Sequence, residues 1–597
     1  MKRRILAILM AFVLISIASC SMSQNEDTKT PAVSPTPTTI ATDPTSQQVA
    51  FDLFTDDLFK EKVQNDSITL NYSLAKPETY GITNYTPTFG HYSVSSMEES
   101  LADDAAALKK LETFEYDQLT RDQQITYDIL KELYTDESRF KDFLLYDEVL
   151  SSTTGLQAQL PVLLAEYTIT DKQDLVDYIM LLTKTDSYFK EICEFEKQKS
   201  NAGLFMSDTC ADNVIDQCKQ FIKEPEKNLL ISIFDEKVSK LSLSDEEKAE
   251  LTAQNKDAVL THVIPAYQLI IDTLASLKGT GKNTGGLCNF KDGKAYYSLI
   301  LKNQTGSSKT PDEAKEALQS LLYSSVRKMQ SLVGKDPDLL KKAQDVTYRL
   351  TEPRKIIDFL KDAIKKDFPE VENVSCQIKY VHPSLEEHMS PAFYLTPQLD
   401  CYTKNCIYIN RCEKYDLSDI FTTLAHEGYP GHLYQNVYYA STNPSLIRNI
   451  IDFGGYSEGW ATYVEMYSYD LAGLDSKVAE VLRCNNEAIL CIYGLSDIGV
   501  NYSGWTQKDL AAFLSSVGID NEEAAPHMYQ AVIDEPCNYL KYVLGYAEIK
   551  ELKDFASENL GKKFNLKDFH QFVLTIGPAQ FDLLHKYLAQ WVKEQRY

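Results

Sequence analysis

The densest chemistry in the chain lies at residues 422–432, which read Thr-Thr-Leu-Ala-His-Glu-Gly-Tyr-Pro-Gly-His. His426 and His432 offer two neutral imidazoles, a ligand type that suits zinc, and Glu427 between them is an acid placed to move a proton. The usual zinc-binding helix carries its two His four residues apart, about 40° around the axis. Here the separation is six, and an ideal helix would leave the second ring about 120° from the first. Pro430 has no N–H, collides with the carbonyl four residues back and disfavours helix at Tyr429, while Gly428 and Gly431 tolerate unusual backbone angles. The spacing therefore predicts a helix that breaks between Glu427 and His432, with His432 swinging back towards the metal.

A third ligand is expected from a second helix. In the run Gly454-Gly455-Tyr456-Ser457-Glu458-Gly459-Trp460, Glu458 is flanked by glycines that permit close approach. Glu465 lies seven residues on and shares its face, so it could orient a ligating imidazole from behind. The same run contains Gly-x-Ser-x-Gly around Ser457, but residues 449–453 make a poor central strand for a nucleophile elbow. A glycosidase using Glu458 and Glu465 would leave both His unexplained. His91, His262, His570 and His585 lack ligand spacing; His382, His388 and His527 could approach a cleft but read first as core or surface residues.

The elements that must position these residues are mostly helices. Thr170 to Gln173 has capping-box spacing, with Leu175, Ile179, Leu182, Phe189 and Ile192 on one stripe after it. Ser244 to Glu247 opens a helix running towards Gly279, and Thr310-Pro311-Asp312-Glu313 opens another that Gly334 can end. Strand signals are few: Ser375 to Val381, Ala392 to Leu395 and Cys406 to Ile409, which could pair as a small sheet before the metal motif. A soft boundary near Phe368-Pro369 divides a helical N-terminal lobe (49–369) from a catalytic lobe (370–597).

Lys2, Arg3 and Arg4, the apolar run Ile5 to Ile17, and Ile17-Ala18-Ser19-Cys20 resemble a bacterial lipoprotein signal (1–20), with Cys20 the lipidated residue. Residues 21–48, rich in Ser, Thr and Pro, read as a tether. The expected location is extracytoplasmic, anchored to the cell membrane through Cys20, with no second segment apolar enough to span a bilayer. A formal charge of -26 argues against nucleic acid as a partner. Eleven further cysteines, with no CxxC among them, read mostly as small buried hydrophobes, with one or two disulfides possible.

His426 to His432, followed by Glu458 to Glu465, resembles the bacterial family catalogued as domain of unknown function 885, itself similar to zincin metallopeptidases of the thermolysin-like clan. Weaker likenesses are Gly293 to Tyr297, Ala392 to Pro397, Asp497-Ile498-Gly499 and Gly504-Trp505-Thr506. The resemblance covers roughly residues 50 to 590. It implies a mainly α zincin-like fold with a small β-sheet beside the active-site helix, a deep cleft, and peptide-like substrates. Two departures stand out: Asn501 replaces the family's His after Asp-x-Gly, and Pro536-Cys537-Asn538 replaces Pro-Gly-Gln.

The expectation is then a zinc-dependent hydrolase, a peptidase, with Zn2+ on His426, His432 and Glu458 and with Glu427 as general base. Tyr542 or Asn501 would donate to the oxyanion, and the Ala392 to Pro397 strand would bind an extended substrate. The alternative is a non-catalytic, lipid-anchored substrate-binding lipoprotein with a structural or vestigial metal site. Glu427 tells against it, because a structural site has no use for an acid beside its ligands.

Overall fold

The computed structural model describes residues 45–596 apart from 282, 373, 382–385 and 387–389. The leader, Cys20, nearly all of the tether, His382 and His388 lie outside the described residues. The tether ends earlier than its composition implies. Thr45 caps the helix Ser46–Val63 in a reciprocal capping box with Gln48, so 46–48 already belong to the fold.

The protein is mainly α, with a single three-stranded sheet among the described residues. The sheet consists of β1 (Ser375–Tyr380), β2 (Ala392–Leu395) and β3 (Lys404–Ile409) in the order β1-β3-β2, with β1 parallel and β2 antiparallel to β3. Ala392, Tyr394, Ile407 and Ile409 face the largest core, while Phe393, Leu395, Cys406 and Tyr408 face a small core shared with Val162. Both faces being covered, β2 and β3 read as near-continuous apolar runs rather than alternating ones.

Eight helices frame the site: α1 (Gly293–Thr305), α2 (Pro311–Lys335), α3 (Phe421–Glu427), α4 (His432–Ser441), α5 (Gly454–Ser468), α6 (Ser476–Asn501), α7 (Asn538–Leu560) and α8 (Leu566–Ile576). Their ends are encoded locally. Thr310 and Glu313 form the expected capping box of α2, with Pro311 at its first position. Gly334 lies inside α2, which runs one residue further. Asp171 with Asp174, not Thr170 with Gln173, caps the helix Lys172–Leu182, because the Asp174 carboxylate takes the N–H groups of both Thr170 and Asp171.

Three large cores hold the chain. The first joins Phe51 through Tyr134 to Leu339 through Val592, so it crosses Phe368-Pro369, and that point does not separate one core from another. A second core gathers residues 89–274, and a third packs α1 and α2 against α6 and α7. Asp245–Leu277 is long and apolar enough by composition to cross a membrane, contrary to the sequence expectation, but half of its most apolar window is buried, with Val259, Val263, Tyr267 and Ile270 in the second core. The eleven cysteines after Cys20 are all free.

Candidate metal centre

Helix α3 stops at Glu427, and the chain then folds tightly against its C-terminal end. The Gly428 amide donates to the Leu424 carbonyl at 3.0 Å, and the Gly431 amide to the Ala425 carbonyl at 3.0 Å. The Tyr429–Pro430 peptide is cis. A Cβ on Gly431 would lie 1.7 Å from the His426 carbonyl oxygen, so only glycine fits there. Helix α4 restarts at His432, and Trp460 of α5, fully buried, donates its indole N–H to the Pro430 carbonyl at 2.9 Å. The break has an immediate consequence for the rings: His426 and His432 lie with centroids 4.9 Å apart and planes at 82°.

The second helix approaches because it lacks side chains where it crosses α7. A Cβ on Gly459 would meet the Gly545 backbone at 2.3 Å, and one on Gly455 the Thr305 carbonyl oxygen at 2.1 Å. This crossing sets Glu458 over the broken helix. Its Oε2 lies 3.4 Å from Nε2 of His426 and 3.4 Å from Nε2 of His432. One ligand atom from each of the three residues falls within 4.8 Å of the others. Glu458 Oε2 is buried between two imidazole nitrogens without a hydrogen-bond partner. An orphaned carboxylate oxygen of this kind is costly unless a cation completes it, and two imidazoles with one carboxylate are a donor set that fits zinc.

Each neighbour has a defined place. Glu465 Oε2 lies 3.1 Å from Nδ1 of His426, and Asn486 of α6 donates to Glu465 Oε1 at 3.0 Å. That contact fixes the His426 ring with Nε2 towards the cluster. Glu427, nearly buried, accepts the Tyr394 backbone N–H at 2.8 Å through Oε2. Burial pushes the Glu427 carboxyl up, with His432 and His426 offsetting part of the effect. For Glu458, burial acts in the same sense, but His432 and His426 outweigh it and hold the carboxyl well below the usual carboxylate range. The group opens on a cleft of about 420 Å³ that Tyr394, Lys541, Tyr542 and Arg448 also line. The Tyr542 ring lies 6.4 Å from that of His426.

Asn501 is not at this cleft, and its expected role is corrected. It is wholly buried at the end of α6. Its amide donates to the Val532 carbonyl at 2.7 Å and to Asp497 at 3.3 Å, and it accepts the Leu287 N–H at 3.1 Å. The same network binds Asp497 to the Tyr297 hydroxyl and the Cys537 N–H, and burial still pushes Asp497 up to about 7. Asn501 is spent on joining segments. Ser457 sits inside α5 and donates to Asp452 at 3.2 Å, which is no nucleophile elbow. His91 and His262 pair with surface acids, and His527 lies on the helix Ala524–Asp534 and does not line the cleft. A second acid–imidazole group, Glu548, Glu551 and His585, is already bridged by Lys309 at 2.9 and 3.0 Å. Asn486, Lys541 and Arg448 carried no signal in the sequence and reach the site through tertiary packing, while Tyr394 lies in the strand expected to bind substrate but was not singled out.

A family model described as bacterial protein of unknown function, DUF885, matches residues 78–588. The chain belongs to the DUF885 family. Among solved structures, this DUF885 protein is similar to a candidate lipoprotein from Colwellia psychrerythraea, at 18% identity and a TM-score of 0.81, covering 92% of this chain and 100% of that one. It is also similar to a candidate lipoprotein of unknown function from Shewanella oneidensis, at 16% identity and a TM-score of 0.63, with 92% and 100% covered. At these identities the likeness shows a shared fold. No curated protein matches this DUF885 chain.

Proposed function

We propose that this DUF885 protein is a zinc-dependent hydrolase of the zincin type that cleaves peptide bonds outside the cytoplasm, held to the membrane through Cys20. The observation that carries the reading is Glu427: a buried acid next to three convergent ligand residues, not needed as a ligand, and held by the edge strand at Tyr394 N. His426, His432 and Glu458 would hold the ion. When bound, zinc supplies Lewis acidity that acidifies a water and polarises a carbonyl.

The chain's own residues do the rest. Glu427 takes the proton from the attacking water and delivers it to the leaving amine; the Tyr394 amide fixes one carboxylate oxygen and leaves the other for the transfer. Glu465, held by Asn486, keeps the His426 ring in its ligating orientation. Tyr542 supplies the donor to the developing oxyanion, and β2 beside the cleft carries the extended substrate backbone. The lipoprotein-like leader and the description of both structural relatives as candidate lipoproteins support the anchored location.

The test is hydrolysis of a peptide library with and without chelator, alongside Glu427→Gln. Chelator should abolish cleavage and added zinc restore it. Glu427→Gln should bind the metal normally and lose about 10²–10⁴-fold in turnover. Cleavage that survives chelation, or a fully active Glu427→Gln protein, would refute the assignment.

A further inference from the structure

One wall of the metal cleft is built for an anion. Helix α4 presents His432, Gln435 and Tyr439 at positions i, i+3 and i+7, so one face carries the ligand and two residues that line the same cleft. Tyr439 is 7% exposed, and its hydroxyl has no hydrogen-bond partner. Arg448, on the following turn Leu446–Asn449, is 3% exposed and stands over the Tyr439 ring at 5.8 Å. Its Nη2 donates to the Ile576 and Pro578 carbonyls at 2.8 Å each, and its Nε–H has no partner. Among the described residues no carboxylate pairs with Arg448. Lys541 lines the cleft too, likewise without an ion-pair partner among the described residues.

A buried guanidinium without a counterion is unusual in any protein, and more so in one with a formal charge of -26. A buried N–H and a buried O–H left unpaired on neighbouring side chains are costly unless an acceptor completes them. Resting on the peptidase reading above, we infer that Arg448 and Tyr439 bind a carboxylate of the substrate, which makes the substrates peptides read from a free C-terminal carboxylate or from an acidic side chain near it. Seven residues of helix place the Cα of Tyr439 about 10 Å from that of His432, the reach of two or three extended residues. The carboxylate therefore sits two or three residues beyond the bond presented to the metal group.

Binding separates this inference from turnover. Detergent-solubilised full-length protein is titrated calorimetrically with three N-acetylated probes: tetraalanine free acid, tetraalanine amide, and the same amide with glutamate at its last position. The free acid should bind at least about tenfold tighter than the neutral amide, and Tyr439→Phe should remove most of that preference. Equal tightness of the glutamate amide and the free acid would assign the site to an acidic side chain; weak binding of the glutamate amide assigns it to the C-terminus. Arg448→Lys serves as the second variant and should also narrow the preference, because an ammonium lacks the guanidinium's fork. Equal affinity for acid and neutral amide, binding of neither, or an unchanged preference in both variants would overturn the inference. Selective binding without chelator-sensitive hydrolysis would instead refute only the peptidase reading.

Discussion

At the residue scale, the site depends on orientation as much as on ligand identity. His426 can aim Nε2 at the cluster because Glu465 occupies its Nδ1 side, and Glu465 is itself held by Asn486. Glu465→Ala should therefore leave the three ligands in place yet weaken zinc by about 10–100-fold, measured by competition with a chromogenic chelator. Unchanged affinity would make Glu465 a bystander. The ligand candidates were legible in the sequence because a helix face has a fixed period: Glu458 and Glu465, seven apart, had to share a side. Asn501 was misread because a motif position says nothing about which way a buried amide turns. One of its hydrogen bonds runs one helical turn back to Asp497, and the other two to Leu287 and Val532, which lie far from it in sequence. Arg448 and Tyr439 carried no sequence signal, since what marks them is the absence of partners in the folded state.

At the element scale, the broken helix was legible and the crossing of helices was not. Pro430 and the flanking glycines announced that α3 could not continue into α4. The Gly459–Gly545 contact needs two residues distant in the chain to lack side chains at the same point, which only the fold reveals. His570 of α8 supports this region from behind. It is fully buried, donates Nδ1–H to the Asp367 carbonyl at 2.7 Å, accepts from the Tyr463 hydroxyl at 2.9 Å, and stacks on Phe368 at 4.1 Å. Burial pushes it from 6.5 down to about 3, so the folded protein keeps it neutral. Below pH 6.5 the unfolded chain binds this proton and the folded chain does not. Stability should then be level above pH 6.5 with respect to this group, and fall by about 1.4 kcal/mol per pH unit from there towards pH 3. Urea unfolding at pH 7.5, 6 and 5 should show a shallower pH slope in His570→Gln than in the natural protein; equal slopes would mean that His570 does not titrate on unfolding.

At the scale of the whole molecule, the mainly α character was readable from capping boxes and stripes such as that of α2, and the small sheet from two short apolar runs and one partly alternating stretch. The arrangement of cores was not readable. Buried residues between Phe51 and Tyr134, Phe89 apart, pack with the C-terminal helices in one core, so a cut near Phe368-Pro369, plausible from local composition, passes through shared packing. The N-terminal address predicts a membrane-bound mature protein, and Cys20→Ser should abolish lipid labelling and shift the protein out of the membrane fraction. Continued labelled membrane association of that variant would exclude Cys20 as the anchor.

The claim beneath all of this is that His426, His432 and Glu458 share one ion. It is tested most directly by metal content, measured after exhaustive dialysis of the natural protein and of His432→Ala, with circular dichroism to confirm that the variant is folded. The natural protein should hold close to one zinc per chain and the folded variant little or none. Equal zinc in both proteins, or none in a natural protein offered zinc before dialysis, would contradict it.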